Sequence, residues 1–147
     1  MMHFAAQSGS TEIFESLKEH KLNLLAKNSR NETALHLAVF FRNYNFVEIL
    51  QKEAKIDIVN ETDIDGFNVI HLCARETNIK SFEYLINTLP PDQRQTAIIS
   101  TVSRNNENIL HIATRNKNFE FIKEILDFRF MRRLEISEFF CSFNCWL

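Results

Sequence analysis

The fold is decided by the sequence Thr33-Ala34-Leu35-His36-Leu37-Ala38, which the chain repeats with variations. Related phrases are NVIHLCA at 68–74, NILHIA at 108–113 and a shortened HFAA at 3–6. Their histidines are His3, His36, His71 and His111, so successive copies are 33, 35 and 40 residues apart. Self-similarity at a period of about 20–50 residues indicates stacked repeats. The sequence therefore predicts a repeat array.

Each phrase begins the same predicted pair of helices. The first helix is short and carries small residues, namely Ala5, Ala6, Ala38, Ala74 and Ala113. After a polar break, a longer stretch has apolar residues three and four positions apart, as at Phe46, Val47, Ile49 and Leu50. That spacing places them on one helical face. One such unit is too thin to bury its own apolar face, so neighbouring units have to stack.

A tight turn is predicted before three of the phrases. Asn31, Gly66 and Asn106 each stand five residues ahead of a histidine, and Asn and Gly tolerate left-handed backbone angles. Asp65-Gly66 is itself a strong turn signal. Because the histidines recur in every unit, we interpret them as structural residues that hydrogen-bond near the start of the first helix. Thr33 is the natural partner of His36.

These phrases, at this spacing, resemble the Thr-Pro-Leu-His-x-Ala signature of ankyrin repeats, whose units are about 33 residues long. The resemblance covers about residues 1–126. It implies an all-α solenoid of stacked helix-loop-helix units joined by short β-turn or hairpin loops. The implied units are a partial repeat at 1–27 and repeats at about 28–60, 61–102 and 103–126.

Two departures from the family pattern affect stability. The signature proline is replaced by Ala34, Val69 and Ile109. The glycine that closes the first helix in the family is present only as Gly9, and the equivalent residues are Arg42, Thr77 and Lys117. We expect an array less stable than an ideal one, because turn and capping contributions of about 0.5–1 kcal/mol are absent in several units.

The longest spacing between phrases contains an insertion. Leu89-Pro90-Pro91-Asp92 breaks the preceding helix, and proline is favoured as the first residue of a new one. Residues 93–102 place Ala97, Ile98, Ile99 and Val102 in a helical register. We therefore predict a short extra helix ahead of the third turn.

The repeat pattern stops at residue 127, and residues 127–147 are rich in aromatic side chains. One interpretation is a helix over about 129–140 that caps the stack, since an array needs its end covered. A second is a segment that binds a partner or a second copy. A third is that the chain belongs to a longer repeat protein.

Composition excludes several classes of function. The 147 residues amount to one domain, with 45% hydrophobic and 24% charged residues and a formal charge of −2. This charge predicts no nucleic-acid or anionic-membrane partner, and no stretch approaches the roughly 20 apolar residues of a membrane span. An odd cysteine count (Cys73, Cys141 and Cys145) and the absence of a signal-like N-terminus favour a reducing, intracellular location, cytoplasmic or nuclear.

Candidate chemistry is sparse. Cys141 and Cys145 would share a helical face, but a structural zinc site needs four ligands and no nearby residues complete it. There is no glycine-rich phosphate loop, no H-E-x-x-H and no G-x-S-x-G. We therefore expect no metal, no cofactor, no small-molecule substrate and no enzymatic activity. An enzyme using Cys141 or Cys145 is the alternative.

A recognition surface is implied by the family resemblance. In ankyrin repeats, contacts come mainly from the turn tips and the exposed side of the first helix. The matching residues here are Ser29, Arg30, Glu32, Phe40 and Phe41, then Ile64, Asp65, Phe67, Arg75 and Glu76, and finally Arg104, Asn105, Glu107, Arg115 and Asn116.

Phe40, Phe41 and Phe67 are expected to face solvent, and aromatic anchors beside arginines are typical of interface hot spots. For Phe40 and Phe41 the alternative is packing beneath the neighbouring turn. The predicted function is binding of another protein through the concave face. Narrower alternatives are an IκB-like inhibitor, resembling the ankyrin proteins that hold Rel-type transcription factors inactive, and a fragment of a larger ankyrin-containing scaffold or adaptor.

Overall fold

The computed structural model describes residues 1–20 and 23–127, and in these residues it contains nine α-helices and no strand. They are α1 (Met2–Ser8), α2 (Thr11–Glu19), α3 (Ala34–Phe40), α4 (Tyr44–Ala54), α5 (Val69–Glu76), α6 (Ile79–Thr88), α7 (Pro91–Ile99), α8 (Ile109–Arg115) and α9 (Phe119–Asp127). The predicted capping helix, Cys141 and Cys145 lie outside the described residues.

Eight of these helices form four stacked pairs, α1–α2, α3–α4, α5–α6 and α8–α9. The first helices α1, α3, α5 and α8 pack side by side in chain order. Their alanines, Ala5, Ala6, Ala38, Ala74 and Ala113, are fully buried, because a single-carbon side chain lets neighbouring helices approach closely. The predicted all-α repeat solenoid is confirmed.

Phenylalanines at equivalent positions of the second helices fill the layer between units. Phe14, Phe46, Phe82 and Phe121 are all 0% exposed. The rings of Phe14 and Phe46 meet edge to face with their centroids 5.5 Å apart, and those of Phe82 and Phe121 are 4.9 Å apart. Aromatic pairs favour such geometries over face-to-face stacking. These ring pairs connect the first unit to the second and the third unit to the fourth.

An asparagine at the N-cap of each later second helix joins its unit to the preceding one. The distances from side-chain Nδ2 to backbone oxygen are 2.7 Å for Asn43 to Ala6, 3.0 Å for Asn78 to Val39 and 2.7 Å for Asn118 to Ala74. These carbonyls belong to the last turn of a first helix, where intrahelical donors run out. We call Asn43, Asn78 and Asn118 the bridging asparagines. The amide groups thus supply side-chain donors to carbonyls at the ends of the first helices.

The residue before each bridging asparagine has left-handed backbone angles. Gly9 occupies the equivalent position of the first unit, before Ser10, with φ of 71°, and a Cβ there would lie only 2.8 Å from the Asn43 side chain. Arg42, Thr77 and Lys117 adopt φ of 59°, 54° and 57° at the equivalent positions. Such angles cost an L-residue about 1 kcal/mol more than glycine. The lower stability expected for these turns is therefore explained by residues other than glycine in left-handed backbone angles.

The insertion forms the extra helix that the sequence indicates. Pro91 is the first residue of α7, which packs against α6 and buries Ala97 and Ile98. Arg94 donates from Nε to the backbone oxygen of Leu89 at 2.8 Å, and from Nη2 to that of Asn87 at 3.1 Å. The inserted helix therefore caps the end of α6.

Replacing Asn78 by aspartate tests the bridging role. The aspartate side chain would keep the oxygen that accepts from the Ser81 N–H, but it would lose the donor to Val39 in a position only 7% exposed. We expect Asn78→Asp to lower the free energy of unfolding by about 1–3 kcal/mol, because the hydrogen bond to the Val39 oxygen is lost and a carboxylate is placed in a buried position. Urea unfolding followed by circular dichroism measures this change. The control, Asn45→Asp on the exposed start of α4, should change stability little; equal losses would contradict the bridging role.

Candidate functional site

Three hairpin loops precede α3, α5 and α8, and each is organised by one polar side chain. Asn28, Asp63 and Ser103 accept hydrogen bonds from the backbone N–H groups two and four residues later. The distances are 2.9 and 2.9 Å for Asn28, 2.9 and 2.8 Å for Asp63, and 3.3 and 3.4 Å for Ser103. These residues were not among the predicted site residues, although each stands eight positions before a histidine. Such side-chain turns fix the loop without strand pairing.

The tips of successive hairpins are joined by backbone hydrogen bonds. The Ile64 N–H donates to the Arg30 oxygen at 2.9 Å, and the Arg104 N–H donates to the Asp65 oxygen at 3.2 Å. A Cβ on Gly66 would lie 2.7 Å from the Arg104 nitrogen, so glycine is required for this close approach. The hairpin tips therefore form one continuous row across the units.

The histidines hold the start of each first helix. The Thr33 N–H donates to Nδ1 of His36 at 3.2 Å, and Thr33 Oγ1 lies 2.9 Å from the same atom. The Asn68 and Asn108 N–H groups donate to Nδ1 of His71 and His111, each at 3.2 Å. Because a backbone N–H only donates, a neutral ring in this position carries its proton on Nε2.

The other ring nitrogen reaches toward the next unit. Nε2 of His3 is 2.8 Å from the Glu32 oxygen, and Nε2 of His71 is 3.2 Å from the Thr101 oxygen. Burial lowers the pKa of His36 and of His71 below the ordinary value, while Asp63 and a backbone group partly oppose this in each case. The buried rings of His36 and His71 are therefore neutral structural groups at neutral pH.

Most of the residues that the family resemblance implicated lie on one exposed surface. The exposed hairpin tips contain Ser29, Arg30, Ile64, Asp65, Arg104 and Asn105, and the ends of the first helices expose Phe40, Phe41, Arg115 and Asn116. Arg75 and Glu76, at the end of α5, are half-buried. We call the hairpin tips together with these helix ends the hairpin surface.

Phe67 corrects the sequence expectation, because it is 8% exposed rather than solvent-facing. Asp63 holds both of its backbone groups, with the Phe67 N–H at 2.8 Å from Oδ1 and the Asp63 N–H at 2.9 Å from the Phe67 oxygen. The ring then packs against His71, with centroids 6.0 Å apart. The equivalent residues Glu32 and Glu107 are half-buried. The last position of each hairpin therefore points toward the array.

Phe40, Phe41 and Arg75 form an aromatic patch in the middle of the hairpin surface. The two phenylalanines are each 41% exposed, and their rings meet edge to face at 5.1 Å. The Arg75 guanidinium lies 5.4 Å from the Phe40 ring and 5.5 Å from the Phe67 ring, and its Nε is 3.0 Å from Glu76 Oε1. The patch thus combines exposed aromatic area with an arginine that is already held in position.

Other chemistry finds little support in the described residues. Burial raises the pKa of the Cys73 thiol, so it stays protonated and is not a nucleophile at neutral pH. Within residues 1–20 and 23–127, no cluster of three or more His, Cys, Asp or Glu side chains could hold a metal ion. No helix in the same residues is long and apolar enough to cross a membrane.

The pH dependence of unfolding tests the neutral state of His36. The unfolded ring takes up a proton near its ordinary pKa of 6.5, whereas the folded ring resists protonation until a lower pH. The contribution of the neutral His36 ring to the free energy of unfolding is therefore fully present above about pH 6.5. This contribution is lost as the pH falls toward the folded-state pKa.

We expect His36→Gln to lose less stability than wild type between about pH 7.5 and about pH 5, measured by urea unfolding. His20→Gln, on an exposed histidine that follows α2, is the matched control. If both variants lose stability with pH by the same amount, the ring of His36 is not the neutral buried group described above.

Comparisons with known proteins agree with this geometry. A family model for ankyrin repeats in three copies matches residues 1–61. An ankyrin repeat-containing protein of Arabidopsis thaliana is 28% identical over 95 residues, which are 60% of this chain and 18% of that protein. Alpha-latrotoxin-Lg1a of Latrodectus geometricus is 30% identical over 123 residues, covering 80% of this chain and 9% of the toxin.

Tyrosine-protein kinase Shark of Drosophila melanogaster is 30% identical over 130 residues, which are 86% of this chain and 13% of the kinase. The chain thus spans less than a fifth of the length of each of these relatives. The family model covers the first two helix pairs, and paired helices and histidines at equivalent positions continue through the later units of the described chain. The chain belongs to the ankyrin-repeat family.

Proposed function

We propose that this chain is a non-enzymatic module that binds a partner protein through the hairpin surface, with the aromatic patch at the centre of the contact. The single observation that carries the proposal is the exposure of Phe40 and Phe41 beside Arg75. Ankyrin repeats are protein-interaction modules, and repeat arrays present extended concave surfaces to their partners. We place the patch on that concave face.

The geometry of Arg75 favours a binding role. Interface hot spots are enriched in aromatic residues and arginine, and ordering a long side chain costs about 0.5–1.5 kcal/mol on association. Contacts with Phe40, Phe67 and Glu76 already restrict the Arg75 side chain before a partner binds. Binding would therefore lose less of its conformational entropy. A partner would therefore meet a rigid guanidinium beside two exposed rings.

The relatives support recognition rather than a shared activity. Their names include a toxin and a tyrosine kinase, yet each resembles this chain only in a small part of its length. We propose that the array supplies recognition and that the activities in those names belong to other parts of those proteins. None of the described contacts favours an IκB-like inhibitor over another partner-binding protein, or over a piece of a larger scaffold.

Loss of the aromatic patch should weaken partner binding without unfolding the array. We expect Phe40→Ala combined with Phe41→Ala to weaken binding by at least about 1 kcal/mol, because exposed anchor rings are removed. Affinity purification with quantitative mass spectrometry identifies proteins that wild type retains, and titration calorimetry with the recovered partner then measures the change. Thermal unfolding verifies that the variant is folded.

Two controls make this experiment decisive. Ile13→Ala removes an apolar side chain that is 47% exposed on α2, away from the hairpin surface, and should leave binding unchanged. Phe67→Ala should instead destabilise the array by several kcal/mol, about 3–5 for a buried phenylalanine, because this ring lies in the core. Partners that the Phe40–Phe41 variant retains as well as wild type would contradict the proposed surface.

A further inference from the structure

We propose that the partner segment bound by the hairpin surface is acidic, with apolar side chains that meet Phe40 and Phe41. This inference rests on the proposed function and specifies the chemistry of the partner. It follows from the charges that remain on the hairpin surface after its own ion pairs are counted.

Four acidic groups of the hairpin surface and its loops lie beside arginines of the same surface, and the fifth, Asp63, is buried and accepts backbone N–H groups. Glu32 and Asp65 both approach Arg30, with distances of 3.7 Å and 3.8 Å. Glu76 pairs with Arg75 at 3.0 Å. Glu107 pairs with Arg115 at 2.7 Å. Each of these four carboxylates therefore has a cation of the same surface beside it.

Three cations on the same surface have no carboxylate partner in the described residues. Arg104 is exposed at the third hairpin tip and Lys117 is exposed at the end of α8. Arg42, exposed at the end of α3, directs its guanidinium at the backbone oxygen of Glu76 and so keeps its charge uncompensated. With the buried Asp63 included, the hairpin surface and its loops, together with Arg42 and Lys117, thus have six basic and five acidic residues, although the whole chain has a net charge of −2.

The opposite layer of the array has the reverse balance. The second helices α2, α4, α6 and α9 contain nine acidic residues and four lysines. Positive and negative groups are therefore segregated between the two sides of a nearly neutral molecule. Such segregation orients an approaching charged partner and suppresses partners of the wrong sign.

Two of the uncompensated cations, Arg42 and Lys117, are connected to the aromatic patch through their neighbours in the chain or their contacts. Arg42 directly follows Phe41, and its contact with the Glu76 oxygen connects it to the residue that pairs with Arg75. Lys117 precedes Asn118, whose side chain is 3.2 Å from the Arg75 oxygen. An occupant that covers the exposed rings therefore comes within reach of these cations. Carboxylates beside apolar residues satisfy both features.

Selection from a display library of random linear peptides tests the inference. The immobilised full chain, the double variant Arg104→Gln–Lys117→Gln and the double variant Phe40→Ala–Phe41→Ala are used as separate baits. The matched control is Lys55→Gln–Lys123→Gln, which removes two exposed cations of the second-helix side. Lys55 also has left-handed backbone angles at a helix end, so it matches Lys117 in backbone strain. Thermal unfolding confirms that each bait is folded.

We expect wild type to enrich peptides with clustered Asp and Glu next to apolar residues. A synthetic peptide of the enriched sequence should bind the Arg104→Gln–Lys117→Gln variant about tenfold more weakly, since two attractive charges are lost. The control variant should bind this peptide like wild type. Affinity should also fall with added salt, because exposed charges are screened.

The outcomes separate this inference from the proposed function. Enrichment of neutral or basic peptides that still require Phe40 and Phe41 would overturn the acidic partner and leave the proposed function standing. Peptides whose binding is insensitive to all the hairpin-surface variants would overturn both, as would the absence of enrichment over a blank surface.

Discussion

The hydrogen bond from the backbone N–H of an N-cap residue to Nδ1 of a histidine is the interaction on which the array depends. It recurs at His36, His71 and His111 with the same 3.2 Å distance. It ends the hairpin, begins the first helix and fixes the protonated ring nitrogen at Nε2. In His3 and His71 that nitrogen meets the backbone of the chain that follows. One side chain thus couples local turn geometry to stacking.

Hydrogen bonds from polar side chains and loop backbone hold the units of this array together, in addition to the apolar core. Each unit is two helices thick and depends on packing against its neighbours for much of its stability. The bridging asparagines donate to helix ends of the preceding unit, and the hairpin tips exchange backbone hydrogen bonds. These contacts compensate for left-handed angles at Arg42, Thr77 and Lys117, where glycine would be less strained.

The sequence predicted the features that a single unit determines by itself. The histidine period, the left-handed turn residues Asn31, Gly66 and Asn106, and the helix that begins at Pro91 all arise from local preferences. The role of the bridging asparagines was not predicted, because their carbonyl partners lie 37–44 residues away in the chain. The predicted solvent exposure of Phe67 was wrong for a similar reason. The direction of its side chain depends on the hydrogen bond by which Asp63 closes the hairpin. Among the candidate site residues, exposure was foreseen best at the loop tips.

The tautomers of His36, His71 and His111 test this account most directly. Long-range proton–nitrogen NMR correlation spectra of the uniformly ¹⁵N-labelled protein near neutral pH distinguish a protonated from an unprotonated ring nitrogen. The structure predicts that in each of the three rings Nε2 carries the proton and Nδ1 is an acceptor. A proton on Nδ1 in any of these rings would contradict the capping geometry from which the stacked units are built.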